Sequence, residues 1–287
     1  MIFSGDNMRS EIDLKGVSWF LALAFIPVLA VSLGIRNLQT NLDYGVAAYY
    51  SLFLLVIMFF PGISAFIVRK FVTKEGLKDS GLRFGSLKPY LHVAVIIPLL
   101  FTIIYAITGL LYPPDFTLRT FMNQAGIKEI PLDPALFIPA LFVSTLIITP
   151  IINSIPAFGE EFGWRGYLLP RLLHLGREKA LILSGVIWGL WHLPLVLLIG
   201  FGSYPDRLAG GFIFVALITL LGIYIGALTL EHKSVLLASY MHGVFNSQAY
   251  GIWTVIYPDY NRLIGGIGGL IGVIVLLPVA LYYLRKS

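Results

Sequence analysis

Six side chains in the second half of the sequence could do chemistry, and all six stand within or beside long apolar stretches. Burying a carboxylate or an unpaired polar group in hydrocarbon is costly, so such groups face a protein interior or a wet cavity and are candidates for function. They form three groups: Glu160-Glu161 with Arg165, then His192, then His242 with Asn246.

The first group is a glutamate doublet followed by an arginine. If this stretch is helical, Glu161 and Arg165 stand at i and i+4 with the acid nearer the N-terminus, which favours an ion pair. Glu160 lies about 100° around the helix from Glu161, has no partner at that spacing, and is therefore available for proton transfer. The alternative interpretation is a solvated charged turn at the end of a helix.

The histidines differ in what their surroundings indicate. His192 lies deep in an apolar run, where a lone histidine can equally be a structural residue bonded to a backbone carbonyl. His242 and Asn246 have i, i+4 spacing, which places an imidazole and a carboxamide on one helix face and favours function. The remaining histidines lie at the ends of apolar runs or in loops and are left out of the candidate site: His92, His174 and His232.

A glutamate, two imidazoles and an amide suit hydrolysis. An acid and an imidazole can activate water, and a second imidazole with an amide can donate hydrogen bonds to a developing oxyanion. A serine nucleophile is not required, because no G-x-S-x-G pattern surrounds the serines that lie close in sequence to these groups. Those serines are Ser154, Ser184 and Ser239.

A zinc site is a second possibility for the same residues. The H-E-x-x-H pattern is absent from the sequence. Glu160, His192 and His242 could still form a set of two histidines and one glutamate with an open position for water. The sequence alone therefore leaves both metal-free and zinc-dependent hydrolysis open.

The composition is that of a membrane protein. Of the 287 residues, 57% are hydrophobic and 12% are charged, whereas about a quarter of the residues of a soluble domain are charged. The chain has no cysteine, which excludes disulfides, a thiol nucleophile and a thiolate metal site. The sequence pI is about 9.3, but the basic residues flank apolar runs as topology determinants, so nucleic acid is not an expected partner.

Eight apolar runs approach the length of about 20 residues that crosses a bilayer core. They predict an all-α fold, a polytopic bundle forming one integral membrane domain over residues 1–287, with the polar groups in a core of residues 157–250. The first run exceeds a signal-peptide core, so we expect a span there and not a cleaved signal. The runs are Val17–Ile35, Val46–Val68, Leu91–Tyr112, Ala135–Ala157, Ala180–Ile199, Leu208–Leu230, Ser234–Ile256 and Leu263–Leu284.

The basic residues predict the orientation of the bundle. Fifteen of the 20 Lys and Arg residues lie at the two termini or in the loops on the same side as the termini. Because short cytoplasmic loops retain positive charge, we expect both termini in the cytoplasm and the glutamate doublet towards the cytoplasmic end. The five basic residues on the opposite side are Arg36, Arg119, Lys128, Arg207 and Arg262.

Taken together, the three groups resemble the signature of the CAAX protease and bacteriocin-processing family, also called the abortive-infection family. That signature is E-E-x-x-x-R, F-x-x-x-H and H-x-x-x-N on successive membrane helices. The resemblance covers residues 160–246, and its one departure is Trp188 in place of the usual phenylalanine. The groups stand here as Glu160-Glu161-Phe-Gly-Trp-Arg165, Trp188-Gly-Leu-Trp191-His192 and His242-Gly-Val-Phe-Asn246.

The resemblance implies an intramembrane endopeptidase of the glutamate type, the class that removes the C-terminal tripeptide from prenylated CAAX proteins in eukaryotes. Its expected substrate is a prenylated or otherwise membrane-associated protein or peptide, and no cofactor is expected. The expected location is the cell membrane of a prokaryote, or the endoplasmic reticulum membrane of a eukaryote. The implied roles are water activation by Glu160 and His192, oxyanion stabilisation by His242 and Asn246, and support of the site by Glu161 and Arg165.

Two other classes of function would use the same polar groups. An immunity or sequestering protein could hold a peptide in the cavity without cutting it. A proton-coupled transporter could use Glu160 and the histidines as a relay, although the sequence lacks the repeat symmetry that many transporters show.

Overall fold

The computed structural model describes residues 13–41, 46–130 and 132–286, which contain helices and no β-strand. The all-α prediction is therefore confirmed. The α-helices are α1 (Leu14–Asn41), α2 (Val46–Ile57), α3 (Phe60–Ile67), α4 (Lys88–Gly109), α5 (Arg119–Ala125), α6 (Pro134–Gly163), α7 (Leu169–Leu172), α8 (Arg177–Trp191), α9 (Leu193–Ile199), α10 (Arg207–His232), α11 (Val235–Tyr250), α12 (Ile252–Ile256) and α13 (Leu270–Arg285). Two π-helical segments, Val68–Val72 and Trp164–Leu168, and a 3₁₀ turn, Leu173–Leu175, continue α3, α6 and α7.

Six helical stretches in the described residues are long and apolar enough to cross a membrane, and the chain is a polytopic integral membrane protein. They correspond to the first six predicted runs. Helices α11 and α13 have 16 residues each, which is about 24 Å at 1.5 Å per residue, less than a bilayer core. The six are Leu14–Leu38, Leu52–Val72, Lys88–Gly109, Pro134–Leu175, Arg177–Ile199 and Arg207–His232.

The prediction for the eighth run was wrong at its beginning. Helix α13 begins at Leu270 and not at Leu263. The residues between them include four glycines, and Gly266 has a φ of 66°, in the left-handed region that glycine occupies without strain. The chain therefore forms a turn before α13, and this turn reaches the candidate site.

Polar side chains cap three of the helices around that site, α6, α10 and α11. Asp133 accepts a hydrogen bond from the amide of Ala135 at 2.7 Å at the start of α6. Asp206 caps α10 in the same way. Ser234 caps α11 by accepting from the amide of Leu237 at 3.1 Å, directly after Lys233 reverses the chain with a φ of 52°.

The loops predicted to be cytoplasmic meet at one end of the bundle. Arg171 pairs there with Asp13 and Glu75, and Arg177 donates to the carbonyls of Tyr283 and Leu284. These contacts place the described beginning of the chain, the loop after α3 and the end of α13 on the same side. The partition of the basic residues agrees with this arrangement.

Glycines let α3 approach the end of α6 that carries the glutamate doublet. A Cβ atom on Gly62 would lie 2.6 Å from the carbonyl oxygen of Gly159, and one on Gly163 would lie 2.5 Å from Pro61. Gly159 and Gly163 flank the doublet at the small-xxx-small spacing that allows membrane helices to pack closely. The backbone of α3 therefore covers α6 at the level of Glu160 and Glu161.

A similar close approach fixes α11 on α6. A Cβ atom on Gly243 would lie 2.6 Å from the carbonyl oxygen of Pro150 and closer still to the hydroxyl of Ser154. One turn further along, the Ser247 hydroxyl donates to the carbonyl of Thr145 at 2.6 Å. The positions of His242 and Asn246 on α11 are therefore fixed by the residues that follow them, Gly243 and Ser247, which contact α6.

Gly243→Ala tests whether this contact sets the packing of α11. The added methyl group has no room against α6, so we expect a loss of about 1–3 kcal/mol in the free energy of unfolding, measured in detergent micelles. Gly34→Ala is the matched control, because Gly34 lies on α1 with no atom within 4 Å of the added methyl group. Equal stability of the two variants would contradict the assignment.

Candidate active site

A cavity of about 400 Å³ lies among the helices, walled mainly by apolar side chains of α2, α6 and α8–α11. Four of the six predicted side chains line it: Glu160, His192, His242 and Asn246. Glu161 and Arg165 do not reach the cavity and lie behind it, fully buried. The three sequence groups therefore meet at one place, with the doublet divided between the cavity and the protein interior.

Glu160 stands in the last turn of α6 and is 3% exposed. Its Oε2 atom accepts a hydrogen bond of 2.6 Å from the indole Nε1 of Trp188. An indole N–H can only donate, so this bond holds the carboxylate as an acceptor. No other hydrogen bond from the described residues reaches this carboxylate, which leaves Oε1 for a molecule in the cavity.

Glu161 makes the ion pair that its spacing predicts. Its carboxylate lies 3.0 Å from Nη1 of Arg165, and its Oε1 lies 2.9 Å from Nδ1 of His242. Glu161 is 0% and Arg165 1% exposed. The alternative interpretation of the doublet as a solvated charged turn is therefore wrong.

Arg165 connects the two glutamates through an aromatic ring. It belongs to the π-helical segment Trp164–Leu168 that follows α6, and its guanidinium carbon lies 4.1 Å from the centroid of the Trp188 ring. A cation over an indole face is attracted by the ring quadrupole. One tryptophan thus contacts the arginine through its face and Glu160 through its N–H.

His192 has one ring nitrogen committed to the backbone. Nδ1 lies 2.9 Å from the carbonyl oxygen of Trp188, and because a carbonyl can only accept, Nδ1 carries the proton of that bond. In the neutral imidazole, Nε2 then presents its lone pair, as a base requires. The ring is 8% exposed and packs against Phe214 at 5.3 Å between centroids.

His242 and Asn246 lie on successive turns of α11 and both line the cavity. Because Nδ1 of His242 donates to Glu161, its Nε2 is the ring nitrogen left for a ligand. The carboxamide of Asn246 is half-buried and makes no hydrogen bond within the described part of the chain. The amide of Asn246 can donate as it stands, and the imidazole of His242 can donate through Nε2 when both of its ring nitrogens carry protons.

Sequence reasoning missed three polar residues of the cavity wall. Asn153 stands seven residues before Glu160, about two helical turns away on the same face of α6. An amide side chain inside an apolar run could have indicated it from the sequence. Trp188 was predicted only as an aromatic packing residue, whereas its indole N–H donates a hydrogen bond to Glu160. Arg262 lines the far end of the cavity from the turn before α13, and no local pattern indicated it.

The zinc set left open by the sequence is not assembled. Among the described residues, no group of three or more His, Cys, Asp or Glu side chains is arranged to hold a metal ion. The hydroxyls of Ser154 and Ser239 donate to carbonyls of their own helices, so neither is placed as a nucleophile.

The resemblance inferred from the motifs is confirmed by comparison with known proteins. Residues 136–248 match the family model described as Type II CAAX prenyl endopeptidase Rce1-like. A curated protein named CAAX prenyl protease 2, from Methanococcus maripaludis, is 34% identical over 115 residues. That alignment covers 38% of this chain and 39% of the relative, so the similarity spans about two fifths of either protein. All three motif groups lie within the residues that match the family model.

Changing Glu161 or Glu160 to glutamine is expected to affect the free energy of unfolding of the protein to different extents. Glu161→Gln leaves the buried Arg165 without an opposite charge and should lower the free energy of unfolding by about 3–5 kcal/mol. Glu160→Gln is the matched control, because the amide oxygen can still accept from Trp188, and it should stay within about 1 kcal/mol of wild type. Denaturant unfolding in micelles measures both, and equal losses would contradict the division of the doublet.

Proposed function

We propose that this chain, like the family its middle segment resembles, is a membrane-embedded endopeptidase of the CAAX prenyl protease type. It hydrolyses a peptide bond near the C-terminus of a prenylated or otherwise membrane-associated substrate. The observation that carries this proposal is the meeting of Glu160, His192, His242 and Asn246 on one largely apolar cavity inside a membrane bundle. A carboxylate and an imidazole can activate water, and a second imidazole and an amide can stabilise an oxyanion.

Glu160 and His192 activate the attacking water. Oε1 of Glu160 and Nε2 of His192 are the atoms not committed to protein partners, and together they accept the proton as the water oxygen bonds to the peptide carbonyl carbon. The same groups then return a proton to the amide nitrogen as the C–N bond breaks. The products are a carboxylic acid and an amine, with no other reactant required.

Asn246 donates to the oxyanion that forms on the carbonyl oxygen, and His242 donates to it through Nε2 in the doubly protonated form, whose charge the Glu161 carboxylate balances. Glu161 holds His242 through Nδ1, which fixes the ring before substrate arrives. Donors that are already oriented need no reorganisation during the reaction, and the low dielectric of the cavity strengthens them. Glu161 and Arg165 act by holding this geometry and not by touching substrate.

The cavity suits a substrate that arrives within the bilayer. Leu55 of α2 and Tyr250 of α11 line the cavity and are 45% and 62% exposed, respectively. The cavity therefore reaches the outer surface of the bundle, which faces lipid. A lipid-modified segment can enter there without passing through water, and the apolar walls can receive the lipid chain.

A cleavage assay with Glu160→Gln tests the proposal. Purified protein in liposomes is incubated with a farnesylated peptide, and release of the C-terminal fragment is followed by mass spectrometry. We expect Glu160→Gln, His192→Ala and His242→Ala to lower the rate by about 10²- to 10⁴-fold, the usual contribution of general acid–base catalysis. His232→Ala is the matched control, because His232 is in part exposed and does not line the cavity.

Full activity of Glu160→Gln would overturn the proposed mechanism. Tight binding of the peptide to wild type without cleavage would instead identify a sequestering protein. Loss of activity on chelation, restored by zinc, would show a metal-dependent reaction.

Trp188→Phe is expected to lower kcat by about 10- to 100-fold, the value of one hydrogen bond to a charged group. Phenylalanine keeps an aromatic ring but cannot donate to Glu160. Trp253→Phe is the matched control, because it also removes one indole hydrogen bond, to Gln248 at 2.9 Å, outside the cavity lining. An unchanged kcat for Trp188→Phe would show that the bond does not orient the carboxylate.

A further inference from the structure

The far end of the cavity differs in chemistry from its apolar walls. Three tyrosines and one arginine line it, contributed by α4, the loop before α10 and the turn before α13: Tyr105, Tyr204, Tyr260 and Arg262. Tyr260 and Arg262 lie outside the segment that matches the family model. This group, here called the tyrosine–arginine end, has no role in the hydrolysis described above.

Arg262 is held in place by aromatic and polar contacts. Its Nη1 donates to the Tyr260 hydroxyl at 3.1 Å, and its guanidinium carbon lies 4.7 Å from the centroid of that ring. The Tyr260 hydroxyl in turn lies 3.3 Å from that of Tyr105 on α4. The turn itself is tied to α4, because the amide of Gly266 donates to the Thr108 hydroxyl at 2.9 Å.

Among the described residues, the charge of Arg262 has no carboxylate partner. No Asp or Glu of the described residues forms a salt bridge with it. Burial raises the pKa of the Tyr204 phenol, and the positive charge of Arg262 opposes that shift. A half-buried guanidinium that always carries its charge, beside phenol hydroxyls, suits a planar anion such as a carboxylate.

The spacing along α11 relates this end to the proposed site of cleavage. His242, Asn246 and Tyr250 line the cavity on successive turns, and the eight residues from His242 to Tyr250 rise about 12 Å. Tyr204, Tyr250 and Arg262 line this same cavity. An extended peptide covers about 3.3 Å per residue, and three to four residues would bridge this distance.

We propose that Arg262, supported by the Tyr260 hydroxyl, binds the C-terminal carboxylate of the peptide being cut. The cavity would then select substrates by the distance between the cleaved bond and the end of the chain. This inference rests on the proposed endopeptidase function and adds a specificity-determining contact to it.

The test compares two farnesylated peptides of the same sequence, one ending in a free carboxylate and one in a carboxamide. Each is assayed with wild type, with Arg262→Gln and with Arg119→Gln. Arg119 is the matched control, because it is an exposed arginine predicted on the same side of the membrane as Arg262 and lies outside the cavity lining. The ratio of kcat/KM for the two peptides is taken within each protein, so a general loss of activity cancels.

In wild type and Arg119→Gln, kcat/KM should be about 10- to 100-fold higher for the carboxylate peptide than for the carboxamide peptide, the value of a charge-assisted hydrogen bond. Arg262→Gln should lose that preference. Equal cleavage of both peptides by wild type, or an unchanged preference in Arg262→Gln, would overturn the proposal. If Arg262→Gln does not fold, Tyr260→Phe removes the supporting hydroxyl and should reduce the ratio, whereas an unchanged ratio would count against the contact.

A binding measurement separates this inference from the proposed function. If wild type cuts neither peptide, the endopeptidase proposal fails, and the affinities of the same two peptides for wild type and Arg262→Gln are compared. A carboxylate preference that Arg262→Gln abolishes would support the anion site on its own. Equal affinities would overturn it.

Discussion

The Glu161 carboxylate is fully buried inside a membrane bundle, where an isolated charge is most costly, and the arrangement around it follows from that constraint. Arg165 neutralises it from one turn along the same chain segment, and His242 donates to it from α11. The ion pair therefore also orients an imidazole. A histidine held through Nδ1 presents Nε2 to the cavity, so a structural requirement of the interior becomes a property of the site.

Trp188 extends this arrangement to Glu160. Its indole face covers the Arg165 guanidinium, while its N–H reaches the carboxylate that lines the cavity. Its backbone carbonyl accepts a hydrogen bond from Nδ1 of His192. A single residue of α8 thus orients both groups proposed to activate water. The glycines of α3, α6 and α11 matter for the same reason, because they bring the backbones close enough for these short contacts.

Local patterns predicted most of the fold and part of the site. Hydropathy located the six long spans, and i, i+4 spacing was sufficient for the pair of Glu161 with Arg165. Contacts between distant segments could not be predicted in this way. The bond from Trp188 to Glu160 depends on how α8 lies against α6, and Arg262 enters the cavity only because a glycine-rich stretch turns where an apolar run suggested helix.

The contacts around the doublet also differ in how much of the chain must be present before each can exist. Arg165 follows Glu161 by 4 residues, Trp188 follows Glu160 by 28, and His242 follows Glu161 by 81. During synthesis, the most costly charge can therefore be neutralised within its own helix before α8 or α11 leaves the ribosome. The carboxylate that lines the cavity receives its partner later, and the imidazole proposed to bind the oxyanion arrives last. The order of assembly runs from the group that is most expensive to bury to the group that completes the chemistry.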